Sequence, residues 1–140
     1  MTKVYGSTRG HDFGETTEKI IAAALEVHRV LGPGFQEVVY QRALEEELKA
    51  AGLDFAREAS IPVYYKGIHI DTRRVDFLIE DCIVEMKARS ELLDEDYIQT
   101  LSYLKASRYR TALLLNFGAK SLGIKRLVNE KGKWAYAPDS

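Results

Sequence analysis

Residues 73–90, RRVDFLIEDCIVEMKARS, read as two β-strands joined by a tight turn, and this stretch decides the fold. Short runs rich in Val, Ile and Phe flank Glu80-Asp81, the pattern of an antiparallel hairpin. Asp76, Glu85 and Lys87 interrupt those runs where apolar residues are expected. With a two-residue turn at 80–81, opposed residues have numbers totalling 161, so Asp76 faces Glu85. Opposed residues in such a ladder have Cβ atoms roughly 4.5–5.5 Å apart. Strand alternation then puts Lys87 on the same face, about 7 Å beyond Glu85. Glu80-Asp81 lacks the Gly or Asn of favoured two-residue turns, so a slip by one residue stays open, and it would send Asp76 to the opposite face.

Two carboxylates held that close repel each other and destabilise the sheet, forcing one toward protonation. A hard divalent cation offsets this. Mg²⁺ binds through one or two carboxylates, keeps several waters and accepts phosphate oxygens as further ligands. Lys87 is then placed to position or polarise an attacking water, or to hold a phosphate. On spacing alone, a solvent-facing sheet surface on which Lys87 screens two acids also accounts for the pattern.

Outward from the hairpin, IPVYYKGIHI contributes two β-rich runs around Lys66-Gly67, with Pro62 marking an edge strand. Toward the N-terminus, a helix is expected from Thr16 or Thr17, with Ile20, Ala24, His28 and Leu31 on one stripe beside Ile21 and Leu25. Gly32-Pro33-Gly34 ends it, and a second helix is expected over Glu37–Ala51 with Gly52 as its stop. His28 reads as a hydrogen-bonded core histidine. After the hairpin, LLDEDYIQTLSYLKAS predicts a helix capped by Asp94, with Tyr97, Leu101 and Leu104 inward. RTALLLNFG has the continuous apolar character of a strand covered on both faces, and IKRLVNE adds one more strand before a Gly132 turn toward Trp134. The order is α-α-β-β-β-α-β-β, in one domain over residues 16–140 behind a loose arm at 1–15.

At 140 residues and 46% apolar, the chain has the size of one domain with a single core. The lone cysteine, Cys82, lies in an apolar run, excludes an internal disulfide and a Cys-based zinc site, and points to a buried thiol in a reducing compartment. No run approaches the roughly 18 apolar residues of a membrane span, and a cytoplasmic location is expected. Residues 97–140 hold eight Lys/Arg against two acids, a net of +6, leaving −7 for the first 96. That asymmetry is compatible with a polyanion on one side and equally with ordinary solvated faces.

RVDFLIEDCIVEMKA is similar to the signature of the PD-(D/E)XK nuclease superfamily, an acid on one strand and Glu-x-Lys on the next, with Val75 in place of the nominal proline. VHRVLGPGFQEVVYQRALEEEL resembles, more specifically, the GxxExxY family of small bacterial proteins within that superfamily, through Gly34, Glu37 and Tyr40. The likeness continues through PVYYKG, YIQTLSYLKAS and LLLNFG, from about Thr17 to Leu127.

The resemblance implies an α/β (α+β) restriction-endonuclease-like core, a mixed sheet flanked by helices. It implies Asp76 and Glu85 as ligands of Mg²⁺ or Mn²⁺, the Met86 carbonyl as a third, Glu37 as a further ligand directly or through water, and Lys87 as the catalytic lysine. Gln99, four residues before Tyr103 on one helix face, matches a polar residue often found near the metal centre. Glu37 and Tyr40 share a face one turn apart, with Tyr40 and Tyr103 as supporting residues. Lys105, Arg108 and Arg110 are the expected contacts to nucleic acid. The implied function is metal-dependent phosphodiester hydrolysis of nucleic acid, DNA more than RNA. The acidic stretch Glu91, Asp94, Glu95, Asp96 favours instead a nuclease-fold binding or regulatory module, possible as a homodimer and without efficient turnover.

Overall fold

Alternation of apolar and polar residues in the strands and the 3.6-residue period of the helices give eight elements in a computed structural model that describes residues 13–129. These are α1 (Phe13–Leu31), α2 (Glu37–Ala51), β1 (Phe55–Tyr65), β2 (Ile68–Ile79), β3 (Cys82–Lys87), α3 (Asp94–Lys105), β4 (Thr111–Asn116) and β5 (Gly123–Val128). The strands form one mixed sheet in the order β1-β2-β3-β4-β5, antiparallel except for the β3–β4 pair. β1, with Pro62, is an edge, as its proline requires. The α-α-β-β-β-α-β-β order and the mixed sheet are those expected from sequence.

One face of the sheet carries α1 and α2, where Ile20, Tyr40, Leu44 and Leu48 pack on Phe77, Val84, Met86, Leu113 and Leu115. On the other, Leu104 of α3 packs with Ile61, Val75, Ile83, Ala112 and Leu127. β4 lies between the two and is buried along its whole length, which is why its sequence is continuously apolar.

α1 begins at Phe13, ahead of the expected Thr16 or Thr17, so the last three residues assigned to the arm are helical. Residues 1–12, and the Gly132 turn toward Trp134, lie outside the described residues. Leu25 is exposed, and Ala23 and Val27 bury in its place. Tyr97 is also exposed, at a groove lined by Leu92, Leu93, Ile98, Leu114 and Lys125. α3 starts one residue earlier than a cap at Asp94 allows. Its N-cap is Leu93, whose N–H donates to Asp96 Oδ2 at 3.0 Å, so Asp96 supplies the capping carboxylate.

Candidate active site

The turn at Glu80-Asp81 joins Ile79 to Cys82 directly, and the ladder continues as Leu78↔Ile83 and Phe77↔Val84. That is the register predicted, and it is reached without Gly or Asn: Glu80 takes φ 54. Asp54 holds the turn, its carbonyl accepting the Glu80 N–H at 2.8 Å and its own N–H donating to Glu80 Oε2 at 3.1 Å.

Past Phe77↔Val84 the β2–β3 ladder stops, while β3 stays paired with β4 as far as Lys87↔Asn116. Between Arg57↔Phe77 and Ala59↔Val75, Glu58 takes φ 53, an uncommon conformation for a residue with a side chain. The kink breaks the alternation: Phe77 packs in the α1/α2 core and Val75, two residues away, in the α3 core. β2 thereby parts from β3, leaving a fork with Asp76 on one arm and Glu85 on the other.

The two acids fill the fork in place of ladder bonds. The Asp76 N–H donates to Glu85 Oε1 at 3.0 Å, and the Met86 N–H donates to Asp76 Oδ2 at 2.7 Å. Gln41, buried on α2, donates through Nε2 to Asp76 Oδ1 at 3.1 Å. Because N–H and C=O of one extended residue face the same neighbouring strand, the Met86 carbonyl also looks into the fork. Glu85 is only 7% exposed. Burial, then the nearby Asp76 charge, pushes its carboxyl up to about 8.

Glu37, the first residue of α2, has its carboxyl raised by burial, opposed by Lys87 and reinforced by Asp76. It is within electrostatic reach of the fork. Among the described residues, no three His, Cys, Asp or Glu side chains form a group that could hold a metal ion by themselves. Tyr103 on α3 is raised by burial and by Glu85, with Arg73 opposing, so it lies within electrostatic reach of the acids from the other helix layer.

Lys87 faces the same cluster but leans toward α3, its Nζ 3.8 Å from Asp96 Oδ1. Asp96 is 4% exposed and also receives Arg89, through Nη2 at 3.0 Å to Oδ1 and through Nε 2.8 Å from Oδ2, the latter an ion-pair contact off the N–H axis. Burial works against its charge, yet the Leu93 N–H and the Arg89 guanidinium hold its carboxyl below the usual range. Gln99 is exposed on α3 and is not among the groups bonded to the acids.

Lys105, Arg108, Arg110 and Tyr40 do not join the cluster either. Lys105 ends α3, and Arg108 and Arg110 lie beside Asp81, at the opposite end of β3 from Glu85 and Lys87. Glu85 lies four positions along the chain from Asp81, roughly 13 Å. Tyr40 belongs to the core: its ring stacks on Phe117 at 4.8 Å, and its hydroxyl donates to the Gly32 carbonyl while accepting the Phe35 N–H. It braces the Gly32–Gly34 turn, where both glycines have positive φ. His28 is structural as well, its Nε2 meeting the Ala119 carbonyl at 2.9 Å.

Sequence reasoning missed Gln41, Arg89, Asp96 and Asn116. Gln41 carried a signal, a polar residue three and seven positions before Leu44 and Leu48 on the buried stripe of α2. Asp96 stood within an acidic run that gave no sign of which member would be buried.

A family model described as the PD-(D/E)XK nuclease superfamily matches residues 14–127. The chain belongs to that superfamily. Comparison with curated proteins and with solved structures finds no match.

Proposed function

We propose that this protein is a metal-dependent phosphodiester hydrolase acting on nucleic acid, DNA in preference to RNA, and that it falls in the GxxExxY branch of its superfamily. The observation that carries the reading is the fork, in which Asp76 and Glu85 exchange a side-chain contact across parted strands and Glu85 is raised to about 8. Keeping Glu85 buried beside Asp76 is a stability cost. The donor set is two carboxylates and the Met86 carbonyl, all hard oxygens, and it suits Mg²⁺ or Mn²⁺, which complete their shells with water. Superfamily members generally use divalent metals. When bound, such an ion supplies a Lewis acid for the phosphoryl oxygens and a more acidic water.

The chain's own residues divide the remaining work. Asp76 and Glu85 would hold the ion with the Met86 carbonyl, and Glu37 would stand within electrostatic reach of it. Lys87, 3.8 Å from Asp96 Oδ1, orients the attacking water and opposes charge developing on the phosphate. Gln41 fixes the Asp76 carboxylate, and Tyr103 borders Glu85. Gln99 remains a candidate for orienting substrate from the surface of α3. Lys105, Arg108 and Arg110 serve, in this reading, a length of nucleic acid that reaches past the fork to the far end of the sheet. A cytoplasmic bacterial enzyme suits the single buried thiol of Cys82, which burial pushes up to about 12. Among the described residues no helix is long and apolar enough to cross a membrane.

A second reading, a nuclease-fold binding or regulatory module, homodimeric or not, draws on the exposed acids Glu91, Asp94 and Glu95, which follow β3 in the chain. Incubating wild type, Glu85→Ala and Lys87→Ala with single- and double-stranded DNA and RNA, with Mg²⁺, Mn²⁺ or chelator, separates the two. The enzyme reading expects metal-dependent cleavage by wild type alone. Equal behaviour of all three proteins on every substrate supports the module.

A further inference from the structure

We propose that Arg89 forms a phosphate-binding subsite beside the fork, holding a backbone phosphate adjacent to the scissile one. This subsite rests on the nucleic-acid reading above and adds to it a group that the Glu-x-Lys pattern does not contain.

The residue is fixed at both ends. Its backbone N–H donates to Asn116 Oδ1 and its carbonyl accepts Asn116 Nδ2, each at 2.9 Å. Gly118 lies so close that a Cβ there would overlap the Arg89 backbone N and O. Its side chain rests with Nε and Nη2 against Asp96, a carboxylate that is 4% exposed, while 40% of the Arg89 side chain is exposed. A guanidinium has five N–H donors in a rigid fork. The Asp96 contact engages one edge and leaves the Nη1 edge uncommitted among the described residues.

Asp96 is the shared partner of Lys87 and Arg89, and Arg89 also lies within electrostatic reach of Glu37. A planar donor edge, pinned in place and backed by a buried acid, matches the oxygens of a phosphate bidentately. It also loses little rotamer freedom on binding, unlike a free surface lysine. Arg89 is two residues from Lys87 along the chain, whereas Arg108 and Arg110 lie at the far end of β3.

The test is binding of a fluorescent single-stranded and a double-stranded DNA oligonucleotide to the chelator-treated protein across a KCl series, with melting temperatures recorded in parallel. Arg89→Gln should weaken binding roughly tenfold or more, the loss of a charge-assisted hydrogen bond, and reduce the slope of log K against log salt by about 1. Arg89→Lys, which keeps the charge and protects Asp96 from standing alone, should keep the wild-type slope and recover only part of the affinity. Asp96→Asn should weaken binding with the slope intact, as expected of a positioning residue. If wild type binds and both Arg89 variants match it in slope and affinity, the subsite is overturned and the nuclease reading stands. If wild type neither binds nor cleaves DNA or RNA, both are overturned.

Discussion

Asp76 and Glu85 stand opposite each other where β2 leaves β3, and the N–H of the first is bonded by the carboxylate of the second at 3.0 Å. A side chain thus closes a gap that a backbone carbonyl closes elsewhere in the sheet. Both acids are consequently oriented before any ligand arrives, and Glu85 is left as an acid whose charge the fold resists. Four consequences can be measured.

The metal-free protein should lose stability as pH rises from about 4.5 to about 8, the span between the ordinary value of Glu85 and its raised one. In that window the folded state retains a proton that the unfolded state has released, so stability falls with increasing pH. Glu85→Gln, neutral throughout, should flatten this part of the profile. Chemical denaturation at several pH values in chelator checks it, and an unchanged slope in the variant would contradict the assignment.

Gln41→Leu should destabilise by about 1–3 kcal/mol, because Asp76 Oδ1 loses a donor and Arg57 Nε loses the Gln41 Oε1 acceptor at 3.3 Å. Cleavage should fall by more than stability alone explains, since the Asp76 carboxylate is then free to rotate. Denaturant midpoints and initial rates under conditions where the variant is fully folded separate the two effects.

Tyr40→Phe keeps the ring on Phe117 and removes only the hydroxyl between Gly32 and Phe35. A loss of about 1–2 kcal/mol is expected, with metal affinity unchanged. A large change in metal affinity would show that the tyrosine acts at the fork and not only in the turn.

Gly118→Ala forces a methyl group into the Arg89 backbone, where neither side can yield cheaply. A destabilisation of about 2–4 kcal/mol is expected, in the range of overpacked or strained substitutions, and weaker nucleic-acid binding should accompany it. Equal melting temperatures for wild type and variant would mean that the chain segment at Arg89 is freer than its contacts indicate.

The fold was legible because its signals were local: Lys66-Gly67 turned the first hairpin with positive φ at both residues, and Gly52 stopped α2 in the left-handed region. The register that brings Asp76 next to Glu85 was legible by counting, since alternation and a short turn leave few registers. The fork was not. Its cause, the φ of 53 at Glu58, sits on a third strand and has no glycine to announce it. Likewise, which acid of residues 91–96 would bury depends on where α3 begins. Asp96 was reachable only once Leu93 proved to be the cap and Arg89 its neighbour. The basic residues after α3 looked close to the site because they follow Tyr103 in sequence, but α3 carries the chain back along the sheet, and β4 starts beside Cys82, away from Lys87.

The most direct measurement is calorimetric titration of the folded protein with Mn²⁺ and Mg²⁺ at pH 7, for wild type, Asp76→Asn and Glu85→Gln. Wild type should bind with release of part of a proton, which the raised carboxyl of Glu85 supplies, and each variant should lose most of the binding while remaining folded. Metal affinity and proton release that are the same in all three proteins would contradict the fork as the metal site.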